Sequence, residues 1–380
     1  MPEQRSSGRP TDVLFDARHI RQSGIGTYIR MQLPALQSVT ARHGLRLSVL
    51  ADPETVPALA AGTDVVHASP INAGMYTPAE QLVWRRAFAA TKPRAVWVPH
   101  YPFPLARLLP GNRGVQLYAT VHDTIHLLPR EVSDQSAAKR AYARAMLAAD
   151  ARYCRRIFTP SEATKTTLTG IVHSARVLVT PIPVGEVWFE PVDRTLSPVS
   201  GPFLLYVGNS KRHKNLPLVI EAFAAIADSV PHRLVIAGGG ASLRTLDDRV
   251  RLLAEAGGDR VVVTGQVDFA VLRALVASAQ LLIMPSLYEG AGLPPLEAMA
   301  SGTAVLSSTI PALRETCGDG ADYFDPHDRD ALIALLRRYC ADDDARAQLA
   351  ARGHAHVRQR QQQICATAAA DAICADLATT

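Results

Sequence analysis

The residues with the clearest chemistry are two glutamates, Glu289 and Glu297, with seven residues between them in EGAGLPPLE. The apolar run LLIM before them predicts a buried strand. Pro294–Pro295 predict the first turn of a helix, where the N–H that proline lacks has no helical partner. Backbone N–H groups at such a helix start favour a diphosphate. The groups in question belong to Gly290, Ala291, Gly292 and Leu293.

Carboxylates on either side of a phosphate site need their own explanation, because phosphate itself repels them. Glu289 precedes the turn, and Glu297 lies one turn into the predicted helix. We expect both to accept hydrogen bonds from sugar hydroxyls, one on each side of the diphosphate. The alternative is a surface turn with incidental glutamates.

A second pattern joins a glycine to a basic loop in LLYVGNSKRHKNL. A predicted strand ends at Gly208, and Lys214 and Asn215 stand directly before an apolar helical stretch. We expect Asn215 to cap this helix and Lys214 to neutralise a diphosphate. A solvated basic turn is the alternative for Lys214, and it is the favoured interpretation for Lys211 and Arg212.

The elements that must position these residues follow an alternating pattern. Short apolar, β-branched runs alternate with longer Ala/Leu/Arg-rich stretches, which is typical of βαβ units and parallel sheets. Twelve strands are predicted, too many for one doubly wound sheet and about right for two, so the fold class is α/β with two Rossmann-like domains. The predicted strands are Val13–Phe15, Leu45–Leu50, Val65–His67, Ala95–Pro99, Leu117–Val121, Ile157–Thr159, Arg176–Val179, Phe203–Val207, Arg233–Ala237, Val261–Thr264, Leu281–Met284 and Ala304–Ser307.

The boundary between the two domains is predicted in Pro181–Pro202, which holds five prolines and shows no periodicity. It indicates a linker or an irregular surface loop. We expect domains at 1–183 and 184–355, facing a central cleft where the carboxyl ends of both sheets meet a ligand. A last helix, roughly His356–Leu377, fills the remainder, 356–380, and is expected to pack back toward the N-terminal domain.

Composition excludes several classes of protein. The 380 residues are 48% hydrophobic and 20% charged, which excludes a largely disordered chain. No run approaches the ~18 apolar residues of a membrane span, and the polar start has no secretory signal. The five cysteines form no CxxC pair, so we expect neither disulfides nor structural zinc, and a reduced, cytoplasmic protein. A net charge of +5 suits an anionic partner, but an aromatic content of 6% and the lack of a basic tail argue against nucleic acid.

The two motifs together resemble the retaining glycosyltransferases of family 4, which have the GT-B fold. The glutamate pair matches the family's E-x7-E signature. The phosphate-binding VG…KN element is matched by Val207, Gly208, Lys214 and Asn215. The resemblance is close over residues 157–326 and looser in the N-terminal half. Further similar stretches are Ile236–Gly240, Val263–Val267, Ser301–Ser308, Asp322–Pro326, Ser23–Arg30, Pro99–Tyr101 and Val121–Pro129.

The resemblance implies a role for each matched residue. Glu289 would bind the transferred sugar, Glu297 the ribose and Lys214 the diphosphate. Asn209 stands where many members carry an arginine, so one cationic contact is missing, with the other basic residues of the loop as substitutes. Val267 and Asp268 fall where the family holds the base. The Asp268 carboxylate suits guanine N1 and N2 better than uracil, which favours a GDP-sugar over a UDP-sugar.

Residues of the N-terminal half complete the implied site. Gly24 and Gly26 match a glycine loop beside the donor phosphates, although a helix-start turn would use the same residues. His122 matches a histidine against the sugar and reaction centre, and a satisfied core histidine is its alternative. Asp123 is expected to orient or cap its turn, and Ser161 to cap a helix.

The implied reaction moves a hexose, with mannose as the guess, from the nucleotide-sugar to a glycan or lipid-linked saccharide. No Asp-x-Asp occurs in a suitable turn, since Asp342–Asp344 lies in a polar helix connection, so we expect no metal or other cofactor. The acceptor would attack from the leaving-group face, which retains the anomeric configuration. The alternatives are a GT-B-fold sugar-nucleotide epimerase, a UDP-sugar-dependent transferase and a non-catalytic nucleotide-binding protein.

A basic segment, residues 139–157, suggests a further partner. It carries six basic residues and one acid, Asp150. A helix over this range would bury a stripe of Tyr142, Met146, Ala149, Tyr153 and Ile157 and turn a cationic face outward. Such a face suits peripheral contact with anionic lipid at the inner face of the membrane. A solvated face without a partner is the alternative.

Overall fold

The computed structural model describes residues 10–22, 24–57, 59–133, 135–174, 176–238 and 248–379. Its chain divides into two compact units. The first holds the residues up to Leu127, Ala137–Ile182 and the residues from Cys365 on, and the second holds Leu128–Ser136 and Pro183–Ile364. The chain therefore passes between the units four times.

Strands and helices alternate through both units, counted over the described residues. The strands are β1 Val13–Asp16, β2 Leu47–Ala51, β3 Asp64–His67, β4 Ala95–Val98, β5 Gln116–Thr120, β6 Cys154–Thr159, β7 Val177–Val179, β8 Phe203–Val207, β9 Arg233–Ala237, β10 Val261–Gly265, β11 Leu281–Met284, β12 Ala304–Ser308 and β13 Asp322–Phe324. The helices are α1 Ile25–Arg42, α2 Pro78–Thr91, α3 Arg130–Ser133, α4 Ala137–Tyr153, α5 Glu162–Ile171, α6 Leu216–Ala224, α7 Asp248–Ala256, α8 Phe269–Ser278, α9 Leu293–Ala300, α10 Pro311–Cys317, α11 Arg329–Ala341, α12 Asp343–Gln363 and α13 Ala368–Ala378.

The first unit contains a parallel sheet in the order β3-β2-β1-β4-β5-β6-β7. Val13 in β1 pairs with Leu47 and Ala95, so this strand lies between β2 and β4. Every residue of β1 is buried, as expected for a parallel strand with both faces covered. The chain order reverses at β1 and β4, and the loops after two such strands diverge and leave room for a ligand.

The second unit contains a parallel sheet in the order β10-β9-β8-β11-β12-β13. Leu281 in β11 pairs with Ala304 and Leu204, so the reversal here falls between β8 and β11. Buried side chains pack on both faces of this sheet, for example Phe223 in one cluster and Met299 in the other. The loops after β8 and β11 carry the two motifs singled out in the sequence.

The twelve predicted strands are all present, and the α/β class with two Rossmann-like sheets is confirmed. The sequence pattern misses β13, because its three residues are too few to show a period. The proline-rich segment is a linker only at 182–183. Val184, Trp188 and Val199 are buried in the core of the second unit, so the rest of that segment packs against it.

The predicted basic helix is wrong in extent. α4 ends at Tyr153, because the next six residues pair as β6 with β5 and β7. Its fully buried side chains are Ala143, Leu147 and Asp150, one residue around the helix from the predicted stripe. Arg155 and Arg156 lie on β6 instead of a helical face. No helix among the described residues is long and apolar enough to span a membrane.

The predicted closing helix is wrong as a single element, because the chain breaks it at 364–367 into α12 and α13. α13 belongs to the first unit. There Asp376 accepts from Arg156 Nε at 2.7 Å and from Tyr118 Oη at 3.2 Å, and it lies 3.6 Å from Arg155 Nη2. These bonds hold α13 against β5 and β6, and they engage Arg155, one of the four arginines (Arg140, Arg144, Arg152 and Arg155) predicted to face lipid.

Gly26 is required by a close approach inside the first unit, which gives a testable consequence. A Cβ at this position would lie 2.4 Å from the Ile20 carbonyl oxygen. We expect Gly26→Ala to lower the free energy of unfolding by about 2 kcal/mol, measured by urea denaturation. Gly170→Ala in α5 is the control, because a Cβ there meets no atom within 4 Å. Equal stability of the two variants would contradict this account of the loop.

Candidate functional site

The loops after β8 and β11 are tied together at the carboxyl edge of the second sheet. The Leu287 N–H donates to the His213 carbonyl oxygen at 2.7 Å. Asn215 Nδ2 donates to the carbonyl oxygens of Pro285 at 3.2 Å and Pro326 at 2.8 Å. The predicted side-chain cap by Asn215 is therefore wrong. The residue has a left-handed backbone with φ 53°, and its amide binds the neighbouring loops instead of α6.

Lys214 and Glu289 form an ion pair across these loops. Lys214 Nζ lies 2.6 Å from Glu289 Oε1, and the two side chains are only 18% and 11% exposed. Ser286 Oγ donates to the same carboxylate oxygen at 2.7 Å. No described residue donates to Oε2. The two sequence motifs predict that Lys214 and Glu289 belong to the site. They do not predict the contact between these residues or the contribution of Ser286, whose one signal in the sequence is its position two residues after a buried strand.

The loop after β8 begins with a tight backbone approach. A Cβ on Gly238 would lie 2.9 Å from the Gly208 carbonyl oxygen, so the two glycines allow β8 and β9 to end side by side. Asn209 Oδ1 then accepts from the Lys211 N–H at 3.2 Å, and the Asn209 carbonyl oxygen accepts from Tyr206 Oη at 2.6 Å. The Asn209 carboxamide oxygen is thus used inside the loop.

The turn between Glu289 and α9 has the form that the sequence predicts. Gly292 precedes the helix with φ 69°, and a Cβ there would lie 2.2 Å from Leu313 Cδ2. Thr316 Oγ1 donates to the Ala291 carbonyl oxygen at 2.7 Å. The helix begins at Leu293 with two prolines in its first turn. These contacts fix the helix start directly after Glu289.

Glu297 lies in α9 and has a different environment from Glu289. Burial raises the pKa of its carboxyl to about 7. Among the described residues nothing donates a hydrogen bond to this carboxylate. The side chain is half-buried, and a partly desolvated acceptor without a donor suits a ligand that brings hydroxyl groups.

Asp268 and Val267 follow β10 at the same edge of the second sheet. Asp268 is exposed, precedes α8 and makes no side-chain cap bond. Its carboxylate has no partner in the described part of the chain. Val267 is half-buried against the core. Within the described residues, Asp268 therefore provides a carboxylate acceptor next to the apolar side chain of Val267.

The remaining predicted residues lie in the first unit. Gly24 precedes α1 with φ 72°. His122 Nε2 lies 2.8 Å from the Pro99 carbonyl oxygen and so carries the proton, and the Tyr28 ring meets the imidazole edge-on at 4.7 Å. Burial lowers the pKa of His122, which leaves a neutral ring whose Nδ1 has no partner among the described residues. His122 is therefore a positioned acceptor.

Two predicted local caps are confirmed. Asp123 Oδ1 accepts from the Ile125 N–H at 2.9 Å, and Ser161 Oγ accepts from the Thr164 N–H at 3.0 Å. Three residues of the similar stretches, Ser23, Gly239 and Gly240, lie outside the described residues.

One group of side chains in the described ranges has the spacing of a metal site, and it belongs to the first unit. The ligand atoms of His19, Glu80 and His100 lie within 4.8 Å of one another. Arg18 Nη2 is 2.7 Å from Asp16 and 3.3 Å from Glu80. Because the guanidinium already neutralises the carboxylates, we interpret the group as a buried ion-pair network.

Comparison with known proteins shows which family and which fold the chain is similar to. Residues 192–356 match the family model of glycosyl transferases group 1. The fold is similar to sucrose-phosphate synthase from Thermosynechococcus elongatus, with a TM-score of 0.74 and 20% identity over 97% of this chain and 98% of that one. The structural neighbours are GT-B glycosyltransferases, so the predicted GT-B class is confirmed.

Two relatives of known activity narrow the comparison. The O-antigen chain mannosyltransferase B of Escherichia coli is 32% identical over 43% of this chain and 44% of its own length. The O-antigen chain mannosyltransferase RfbU of Salmonella typhimurium is 29% identical over 64% of this chain and 70% of its own length. The chain thus spans less than half of the first relative. Over part of its length the chain is therefore similar to group 1 glycosyltransferases.

The raised pKa of Glu297 predicts a specific pH dependence of stability. A carboxyl that titrates near 4.5 when unfolded and near 7 when folded stabilises the protein below pH 4.5 and loses that contribution as the pH rises to 7. We expect the unfolding free energy of the wild type, relative to Glu297→Gln, to fall by roughly 2 kcal/mol from pH 5 to 8. Denaturation at both pH values measures it. Parallel pH profiles would contradict a raised pKa of the Glu297 carboxyl.

Proposed function

We propose that the protein is a retaining hexosyltransferase that moves a sugar, mannose by preference, from a GDP-linked donor to a glycan or lipid-linked saccharide, without a metal. The observation that carries the proposal is the Lys214–Glu289 ion pair at the strand-order reversal of the second sheet. The mannosyltransferases among the relatives support the choice of sugar.

The ion pair prepares two different contacts to the donor. An ammonium group has three hydrogens, and Glu289 takes one, so Lys214 keeps donors for diphosphate oxygens. Two donors on Oε1 fix the Glu289 carboxylate, and Oε2 stays available for a sugar hydroxyl. Lysine thus binds the leaving group while the carboxylate binds the transferred sugar.

The start of α9 and Lys214 together would stabilise the leaving diphosphate. Preorganised N–H dipoles and a cation act where negative charge develops, as a metal ion does in other transferases. Asn209 is uncharged, so it adds no cation to the diphosphate site.

The nucleoside would lie between Glu297 and Asp268. No residue in the described ranges donates a hydrogen bond to Glu297, and ribose hydroxyls provide donors. Asp268 is an exposed acceptor of the kind that guanine N1 and N2 satisfy, whereas uracil offers no such pair. A UDP-sugar donor is the alternative, and binding of the two nucleoside diphosphates side by side discriminates them.

Transfer with retention needs the acceptor hydroxyl on the face that the diphosphate leaves. The bond from the anomeric carbon to the diphosphate oxygen breaks, the bond to the acceptor oxygen forms on the same face, and a phosphate oxygen takes the acceptor proton. The neutral His122 would accept a sugar hydroxyl through Nδ1 and orient the ring. An epimerase would instead release an altered nucleotide-sugar, so product analysis separates the two.

A peripheral contact with anionic lipid stays a prediction, now restricted to α4. Arg144 and Arg152 are exposed on this helix. Arg155 lies on β6, where Asp376 of α13 engages it, so it is removed from the proposed surface.

Replacing Glu289 and Glu297 with alanine is expected to change different kinetic and binding constants. Glu289→Ala should lower kcat about 10²-fold or more and leave affinity for GDP nearly unchanged, because the sugar is the only part of the donor that this carboxylate would contact. Glu297→Ala should weaken GDP binding and raise donor KM more than it lowers kcat. Calorimetry and steady-state kinetics measure both. Loss of GDP affinity in Glu289→Ala with retention in Glu297→Ala would reverse the proposed orientation of the donor.

Activity is expected to persist in excess EDTA. Lys214 and the helix N-terminus supply the positive charge that a metal supplies elsewhere. The rate of GDP release from GDP-mannose is compared before and after chelation, with the thermal midpoint as control for folding. Loss of activity that Mg²⁺ or Mn²⁺ restores, at an unchanged midpoint, would refute metal independence.

A further inference from the structure

Four aromatic rings of the first unit form a cluster in which Tyr101 belongs to the hydrophobic core and Tyr76 packs against it. Tyr76 is the central ring. Its centroid lies 5.5 Å from Tyr101, 5.8 Å from His126 and 6.0 Å from Tyr142, and Tyr101 lies 5.6 Å from His126. Tyr101 is buried and the other three are half-buried. The cluster is therefore anchored on one side and open on the other.

The cluster gathers at the carboxyl edge of the first sheet. Tyr101 follows β4, His126 follows β5, and Tyr142 reaches it from α4. Asp123 lies one residue beyond His122 at the same edge. Asp123 accepts from the Ile125 N–H, so it lies in the same turn as His126.

Tyr76 is held in a conformation that a packed core alone would not select. Its φ of 66° lies in the left-handed region, which is unfavourable for a side chain of this size. The Tyr76 N–H donates to Glu80 Oε2 at 2.8 Å. Glu80 is fixed in turn by Arg18 at 3.3 Å and His100 at 3.4 Å. The buried ion-pair network thus fixes the backbone that presents this ring.

Polar groups at the cluster are left available. The Tyr142 hydroxyl has no hydrogen-bond partner among the described residues. Asp123 uses Oδ1 for the Ile125 N–H, and nothing described donates to its Oδ2. Aromatic walls with a few convergent acceptors and donors are the usual lining of a small-molecule site.

We propose that Tyr76, Tyr101, His126 and Tyr142, with Asp123, form a subsite for the acceptor saccharide. The inference rests on the proposed transferase function and deepens it by assigning acceptor residues. The C–H faces of a pyranose pack on tyrosine rings, and a carboxylate accepts its hydroxyls. A cage of tyrosines with an acid also suits a quaternary ammonium group, which is the competing ligand class. The saccharide is favoured because the neutral acceptor His122 adjoins Asp123.

Saturation-transfer NMR on the full chain tests the assignment. The probes are methyl α-mannoside, methyl α-glucoside, methyl β-galactoside, methyl β-N-acetylglucosaminide and choline. We expect saturation of at least one glycoside, weakened about 5-fold or more in apparent affinity by Tyr142→Ala and largely retained by Tyr142→Phe. Tyr153→Ala is the matched control, because Tyr153 lies on the same helix, is 41% exposed and contacts Phe103 instead of the cluster.

Three results would overturn the subsite: no saturation of any glycoside, equal saturation in Tyr142→Ala and Tyr153→Ala, or saturation of choline alone. Thermal midpoints check that each variant is folded. GDP binding and slow hydrolysis of GDP-mannose without acceptor are measured in parallel. If the wild type shows neither, the transferase proposal fails. If the wild type shows both GDP binding and hydrolysis of GDP-mannose, and the glycoside signal is unchanged in Tyr142→Ala, only the acceptor assignment fails.

Discussion

The ion pair between Lys214 and Glu289 is the interaction on which the candidate site depends. Both side chains are mostly buried, so each charge is tolerated because the other is 2.6 Å away. The pair joins the loop after β8 to the loop after β11, and Ser286 sets its geometry from the same strand end. A site held this way keeps a cation and a carboxylate in fixed positions before any donor binds, which is the form of preorganisation that transfer chemistry needs.

Sheet order explains why these residues meet. In the second unit the order reverses between β8 and β11, so the loops after these strands are neighbours although 75 residues separate Lys214 from Glu289. The first unit repeats the arrangement at β1 and β4. There Gly24 directly precedes α1 after β1, and Tyr101 follows β4. Tyr76 follows the edge strand β3 instead, and the buried network around Glu80 fixes its backbone.

Local patterns predict what is local in this protein. The alternating sequence pattern predicts twelve strands, and the proline pair predicts the start of α9, because these elements depend on residues that are close in the chain. The sequence pattern wrongly extends α4 past Tyr153. The helical spacing of apolar residues continues there, but pairing with β5 makes this segment a strand. The amide of Asn215 and the hydroxyl of Ser286 bind atoms from distant segments, and the strained backbone of Tyr76 depends on Arg18 through Glu80. Contacts between distant segments produce no regular spacing of residue types, so the sequence pattern does not predict them.

A double-mutant cycle on GDP-mannose turnover tests the central claim most directly. The value of kcat/KM is measured for the wild type, Lys214→Ala, Glu289→Ala and the double variant, with thermal midpoints to confirm folding. If the two residues act as one unit, the double variant is little worse than either single variant, and the coupling energy exceeds about 1 kcal/mol. Additive losses, or turnover near the wild-type value in either single variant, would contradict a donor site built on this ion pair.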